Sequence, residues 1–190
     1  LSRPVVAALL RQLFELCLLR RGPQDLPFSP AATLGFALAL VAVQVAVARF
    51  AVDPPLAALA GRVLITLGLV LAVPAWLLRL RGMVNRTAQT QLAMAGAGLL
   101  FTLAMVPVAL AVLPAAPGPS APAEVSGLAL MASLAAIGLF VWKLRVDAAI
   151  WRQALEIPVG AAYVLAVSLV LAEFFLILGV SPPVPAAPAS

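Results

Sequence analysis

From Pro30 to Ala48 the chain carries no charged residue, and apolar stretches of similar length recur four more times along the sequence. A run of about 20 apolar residues is what an α-helix needs to cross the hydrocarbon of a bilayer. The spacing therefore predicts an all-α polytopic membrane protein with five transmembrane helices, at about residues 30–50, 54–80, 90–113, 125–142 and 158–180. Composition agrees: 64% of residues are hydrophobic and 10% are charged, against about a quarter charged in soluble domains. Mean hydropathy is +1.14. With 190 residues, five spans leave no room for a separate soluble domain, so residues 1–190 read as a single integral membrane domain.

Residues 1–21 differ from the spans. Val5, Val6, Leu9, Leu10, Leu13, Phe14, Cys17 and Leu18 recur at helical spacing, while Ala8, Arg11, Gln12 and Glu15 gather on the other side. That pattern predicts an amphipathic helix lying in the membrane surface, capped by Ser2 and ended by Gly22 and Pro23. Arg11, Arg20 and Arg21 are its candidate headgroup contacts. A core-packed or short spanning helix is the alternative, because Leu16 and Leu19 widen the apolar face. Ser29 followed by Pro30 supplies an N-cap and a first-turn proline for the next helix, so residues 18–33 read as a right-angle joint between a surface helix and a span.

Within the spans, Asp53 is placed to cap the second, and Pro74 removes a backbone hydrogen bond and should kink it. The third contains "AMAGAG", in which Ala93, Gly96, Ala97 and Gly98 are candidate helix-packing positions that would let another helix approach closely. Pro107 lies near its end. "PAAPGPSAPAE" reads as a flexible loop, "KLRVDAAIWRQALEIP" as a short amphipathic connection after the fourth span, and residues 181–190 as a proline-rich tail.

The net charge is +5, but the basic residues are scattered singly and form no patch with interleaved aromatics, which argues against a nucleic-acid partner. They report topology instead. Ten of the twelve, Arg3, Arg11, Arg20, Arg21, Arg79, Arg81, Arg86, Lys143, Arg145 and Arg152, fall at one side of a five-span arrangement. By the positive-inside rule that side is cytoplasmic, with the N-terminus inside and the C-terminus outside. Arg11, Gln12 and Glu15 interrupt the first apolar run, so a cleavable signal peptide is not expected.

A charge within a span is costly and invites a functional reading. Arg62 and Glu173 lie at comparable distances from the outer ends of the second and fifth spans and are a candidate intramembrane ion pair; Arg49 sits nearer the surface. The alternatives are arginines that snorkel to headgroups beside a protonated Glu173, or a transported proton or ion. A relay is disfavoured at this stage, because the inner halves of the spans offer no further ionisable group. Gln44, Thr66, Gln91, Thr102, Ser133 and Ser168 are expected to make helix-to-helix hydrogen bonds.

Catalytic and metal chemistry find no foothold. The sequence has no histidine, and its single cysteine, Cys17, reads as a packing residue. The glycines of "GAG" lie within a helix and lack the strand and basic context of a phosphate loop. Asp147 and Glu156 read as ordinary loop charges. No enzyme, cofactor or metal is expected.

An amphipathic N-terminus followed by five closely spaced helices resembles the Yip1-domain family. "LLRRGPQDLPFSP" and "NRTAQTQLAMAGAG" look like small inner-membrane proteins of proteobacteria. The resemblance implies a bacterial inner-membrane location, to which the Ala/Leu/Arg/Pro-heavy composition also points; the trafficking role of eukaryotic members is not carried over. The leading expectation is a non-catalytic accessory or scaffolding subunit of a larger inner-membrane complex, with lipids and other membrane subunits as partners. The alternative is a small transporter or lipid-handling protein, whose sign would be a polar-lined cavity between the spans.

Overall fold

The computed structural model describes residues 3–51, 54–112 and 127–180, and contains helices and turns with no strand among the described residues. The helices are α1 (Arg3–Cys17), α2 (Pro30–Ala51), α3 (Leu56–Leu67), α4 (Val73–Leu80), α5 (Thr87–Val112), α6 (Gly127–Leu155) and α7 (Val159–Val180). Five segments are long and apolar enough to cross a membrane: α2, α3 continued into α4, α5, α6 and α7. The protein is an all-α polytopic membrane protein. The Ser2 and Asp53 caps, the "PAAPGPSAPAE" loop and the 181–190 tail lie outside the described residues.

The spans close into a ring in which α2 packs on α5, α5 on α6, α6 on α7, α7 on α3 and α3 on α2. Their outward sides carry large apolar residues such as Leu38, Leu64, Leu103, Phe140 and Phe175, all exposed. In hydrocarbon that is the stable arrangement, since lipid tails are as apolar as leucine and inter-helix contact must come from packing and hydrogen bonds.

The second span is interrupted. Residues Gly68–Ala72 form a π-helical turn, closed by the Val73 N–H donating to the Gly68 carbonyl. Pro74 lies just beyond it and has no N–H to give, so the helix widens rather than merely bending. Gln91 Nε2 from α5 donates to the Leu71 carbonyl at 2.7 Å, tying the π turn to a second helix.

Two boundaries differ from the sequence reading. The first helix stops at Cys17, before Gly22: Leu19 adopts φ 59°, and the N–H groups of Leu19 and Arg20 fold back onto the carbonyls of Leu16 and Glu15. This is a Schellman ending with leucine where glycine is usual. The fourth helix does not stop at Trp142; it runs on to Leu155. Charge ends an apolar run, but it does not end a helix, and "KLRVDAAIWRQAL" contains neither glycine nor proline. The helix ends where Glu156 turns to φ 52° ahead of Pro158.

The joint between α1 and α2 is docked onto the bundle. Gly22 N–H donates to Asp25 Oδ2 at 2.8 Å, and Gln89 Nε2 from α5 donates to the carbonyls of Gln24 and Leu26 at 3.2 and 2.8 Å. Ser29 caps α2 through its Oγ, which accepts from Ala32 N–H at 3.3 Å.

Candidate functional site

The small residues of α5 receive the first helix. Leu13 is fully buried, and a Cβ placed on Gly96 would lie 2.5 Å from its nearest methyl. Ala93 and Ala97 join Leu9, Leu16 and Cys17 in the same apolar cluster, which also takes in Val146 and Ile150 of α6. Gly98 instead faces Leu40 of α2. Trp142 Nε1 donates to the Cys17 carbonyl at 2.9 Å and ties the end of α1 to α6. Burial pushes the Cys17 thiol up to about 11, so it is an inert packing group.

The opposite sides of α1 remain open. Phe14 and Leu10 are exposed, and next to them Glu15 accepts from Arg11 at 3.0 Å and from Arg21 at 2.5 Å. Those guanidiniums, Arg11 first, hold the Glu15 carboxyl below its ordinary value. Arg20 is exposed. The candidate headgroup contacts Arg11, Arg20 and Arg21 thus share one end of α1 with a single carboxylate, while the helix itself is strapped to the bundle by its Leu9–Leu13–Leu16 face.

Inside the ring is a cavity of about 80 Å³. Each span gives it a polar or ionisable side chain: Gln44 from α2, Thr66 from α3, Thr102 from α5, Lys143 and Asp147 from α6, and Glu173 from α7. Leu69 and Val70 of the π turn complete one wall. Helical periodicity explains the assembly, because Lys143, Asp147 and Trp151 recur at i, i+4 and i+8 along one stripe of α6, as Met94, Gly98 and Thr102 do on α5. At 1.5 Å per residue, Asp147 lies about 12 Å and Lys143 about 18 Å from the last residue of α6, and Glu173 about 21 Å from the first residue of α7. The cluster therefore sits well inside the bundle.

Lys143 Nζ donates to Asp147 Oδ2 at 2.5 Å, and the Asp147 side chain is only 7% exposed. Glu173 lies within Coulombic reach of both. Thr66 Oγ1 donates to Gln44 Oε1 at 2.8 Å across the α2–α3 boundary. Trp151 is fully buried against the cavity, and its Nε1–H has no hydrogen-bond partner among the described residues. The arrangement combines three ionisable groups and two helix-bridging side chains around space for a few waters.

This corrects the sequence reading at three points. Asp147 is not a loop charge but the most buried acid described. The spans do contain further ionisable groups, because α6 carries Lys143 and Asp147 into the ring. Arg62 and Glu173 do not pair with each other: the second and fifth spans are neighbours, but Gly61 packs against Val180. That contact puts Arg62 near the end of α7, with Glu173 seven residues, or about 10 Å, further in. Of the expected bridging residues, Gln44, Thr66 and Gln91 make bonds between elements, whereas Ser133 Oγ donates to Ala129 O in its own helix.

The fold and the cavity define a polytopic membrane protein with a cluster of ionisable side chains between its spans. No family model, no curated protein and no solved structure matches the chain.

Proposed function

We propose that the protein is a small ion-handling membrane protein of the transporter class, in which the Lys143–Asp147–Glu173 cavity is the site that a small cation enters. The observation that supports this reading is the placement of an aspartate, a lysine and a half-buried glutamate on the inner stripes of adjacent spans. A buried ion pair adds little net stability compared with apolar residues of similar volume, and ionisable groups inside spans mark ion and proton pathways by default. With Lys143 paired to Asp147, an ionised Glu173 leaves the cluster with one net negative charge, which suits a monovalent cation. The interrupted second span, whose π turn lines the same cavity, resembles the broken helices on which membrane transporters build their sites.

The remaining expectations join this reading as proposals. The end of the bundle bearing Arg79, Arg81, Arg86 and Arg152 is cytoplasmic, in a bacterial inner membrane, and the chain is non-catalytic. The Yip1-domain resemblance supplies none of the ionisable residues of the cavity. The test is reconstitution into vesicles loaded with the pH dye pyranine, with a potassium gradient and valinomycin imposing a membrane potential. Protein-dependent acidification or alkalinisation, faster than in protein-free vesicles, is expected. Equal rates, together with stoichiometric partner proteins in a mild-detergent purification, would replace this reading with that of an accessory subunit.

A further inference from the structure

We infer that the ligand of the cavity is a proton, carried by the Glu173 carboxylate, beside a Lys143 ammonium that Asp147 already holds. The inference rests on the ion-handling reading and names its ion.

Three features of the cavity carry it. Its volume, about 80 Å³, accommodates a few waters, and the Lys143 ammonium, held by Asp147, already supplies a cation to its lining. Asp147 is committed: it is nearly buried and accepts directly from Lys143 Nζ. Glu173 lines the same cavity, yet is half-buried and makes no ion pair among the described residues. The cavity thus holds one cation and two carboxylates of unequal access. The third feature is an orphaned donor on a lining residue: Trp151 borders the cavity, and its buried Nε1–H has no acceptor among the described residues.

The charged and titratable surroundings of Glu173 are few. Lys143 and Asp147 face it from α6; α3 brings Arg62, but about 10 Å further toward the end of α7. At the cavity, α2, α3 and α5 present only the neutral Gln44, Thr66 and Thr102. The step is a simple transfer: a hydronium ion reaching the cavity gives a proton to a Glu173 carboxylate oxygen and leaves as water. The ammonium keeps its three protons and its hydrogen bond to Asp147. Loss of the proton restores the Glu173 carboxylate. The cluster alternates between zero and one net negative charge, and the π turn of the second span forms the wall beside it.

Difference infrared spectra of the purified protein between about pH 9 and about pH 4 test the assignment, since carboxyls ionise over this range or are shifted within it. The expected result is a protonated-carboxyl carbonyl band typical of an apolar site, with a parallel change in tryptophan emission. Both should vanish in Glu173→Gln and survive in Glu156→Gln. Glu173→Asp, which keeps the acid, should retain a displaced band and guards against a variant that merely misfolds. A band lost in Asp147→Asn but kept in Glu173→Gln would overturn the inference, as would no band at all. Proton flux in the vesicles without the band would sink Glu173 as the proton's carrier and leave ion handling standing; the band without flux would sink transport and leave the proton site.

Discussion

Two faces of α5 are built on opposite terms. Toward α1 it presents Ala93, Gly96 and Ala97, closing on Leu13 with no polar group between them. Toward the ring interior it presents Met94, Gly98 and Thr102, beside a cavity that holds a lysine, an aspartate and a glutamate. The first face follows close packing, in which volume decides and chemistry is interchangeable. The second keeps charges where apolar residues would pack as well, which is the mark of a retained site rather than a stabilising one.

If the faces differ in this way, substitutions should separate them. The largest effect is expected at Asp147: Asp147→Leu strands the Lys143 ammonium and should cost about 3 kcal/mol in a detergent unfolding experiment. Replacing both, Lys143→Met with Asp147→Leu, should be milder, with a coupling of about 0.5 to 3 kcal/mol; additive losses would mean that the pair does not act as a unit.

On the apolar face, Gly96→Ala places a Cβ 2.5 Å and 2.6 Å from the two methyls of the fully buried Leu13. It should destabilise by about 1 to 3 kcal/mol and expose α1 to proteolysis. Gly138→Ala meets nothing within 4 Å and should stabilise by about 0.5 kcal/mol, so opposite signs of the shift in Tm are expected from one chemical change.

Thr66→Val removes a single inter-helix hydrogen bond to Gln44 and should cost about 0.6 kcal/mol, readable as a small fall in Tm.

The smallest effect lies on the open side of α1. Glu15 is held below the ordinary carboxylate range by Arg11 and Arg21. A depressed folded value means that its stabilisation is complete above the unfolded value and lost as pH falls through the folded one. Glu15→Gln should therefore loosen α1 slightly at neutral pH, by limited proteolysis, and the difference from wild type should vanish on acidification.

The spans were legible because hydropathy alone fixes them, and the Gly96 seam because small residues cluster within "AMAGAG". The cavity was not. Its groups stand at positions 44, 66, 102, 143, 147 and 173, one or two to a helix, and only the ring closure brings them together. Lys143 marks the end of an apolar run, and taking that for the end of the helix hid Asp147 behind it. Depth counted from span ends misplaced Arg62 against Glu173 because α7 finishes level with Gly61 rather than with the start of α3. Pro74 announced an irregularity, but its form, a π turn with Gln91 serving the Leu71 carbonyl, depends on a residue of another helix.

The decisive contrast is between Thr102 and its neighbour Leu103, adjacent in sequence but about 100° apart around α5. Thr102 lines the cavity, while Leu103 is 47% exposed on the outer surface. With Cys17 replaced by alanine, single cysteines at the two positions can be treated with methyl methanethiosulfonate in membranes, where only a thiol that ionises in contact with water reacts. Thr102→Cys should react at least about tenfold faster than Leu103→Cys, because a thiol beside water and charge forms thiolate and one in lipid does not. Equal, slow reaction at both would show that the interior of the ring is as dry as its rim, and would contradict an ion-handling cavity.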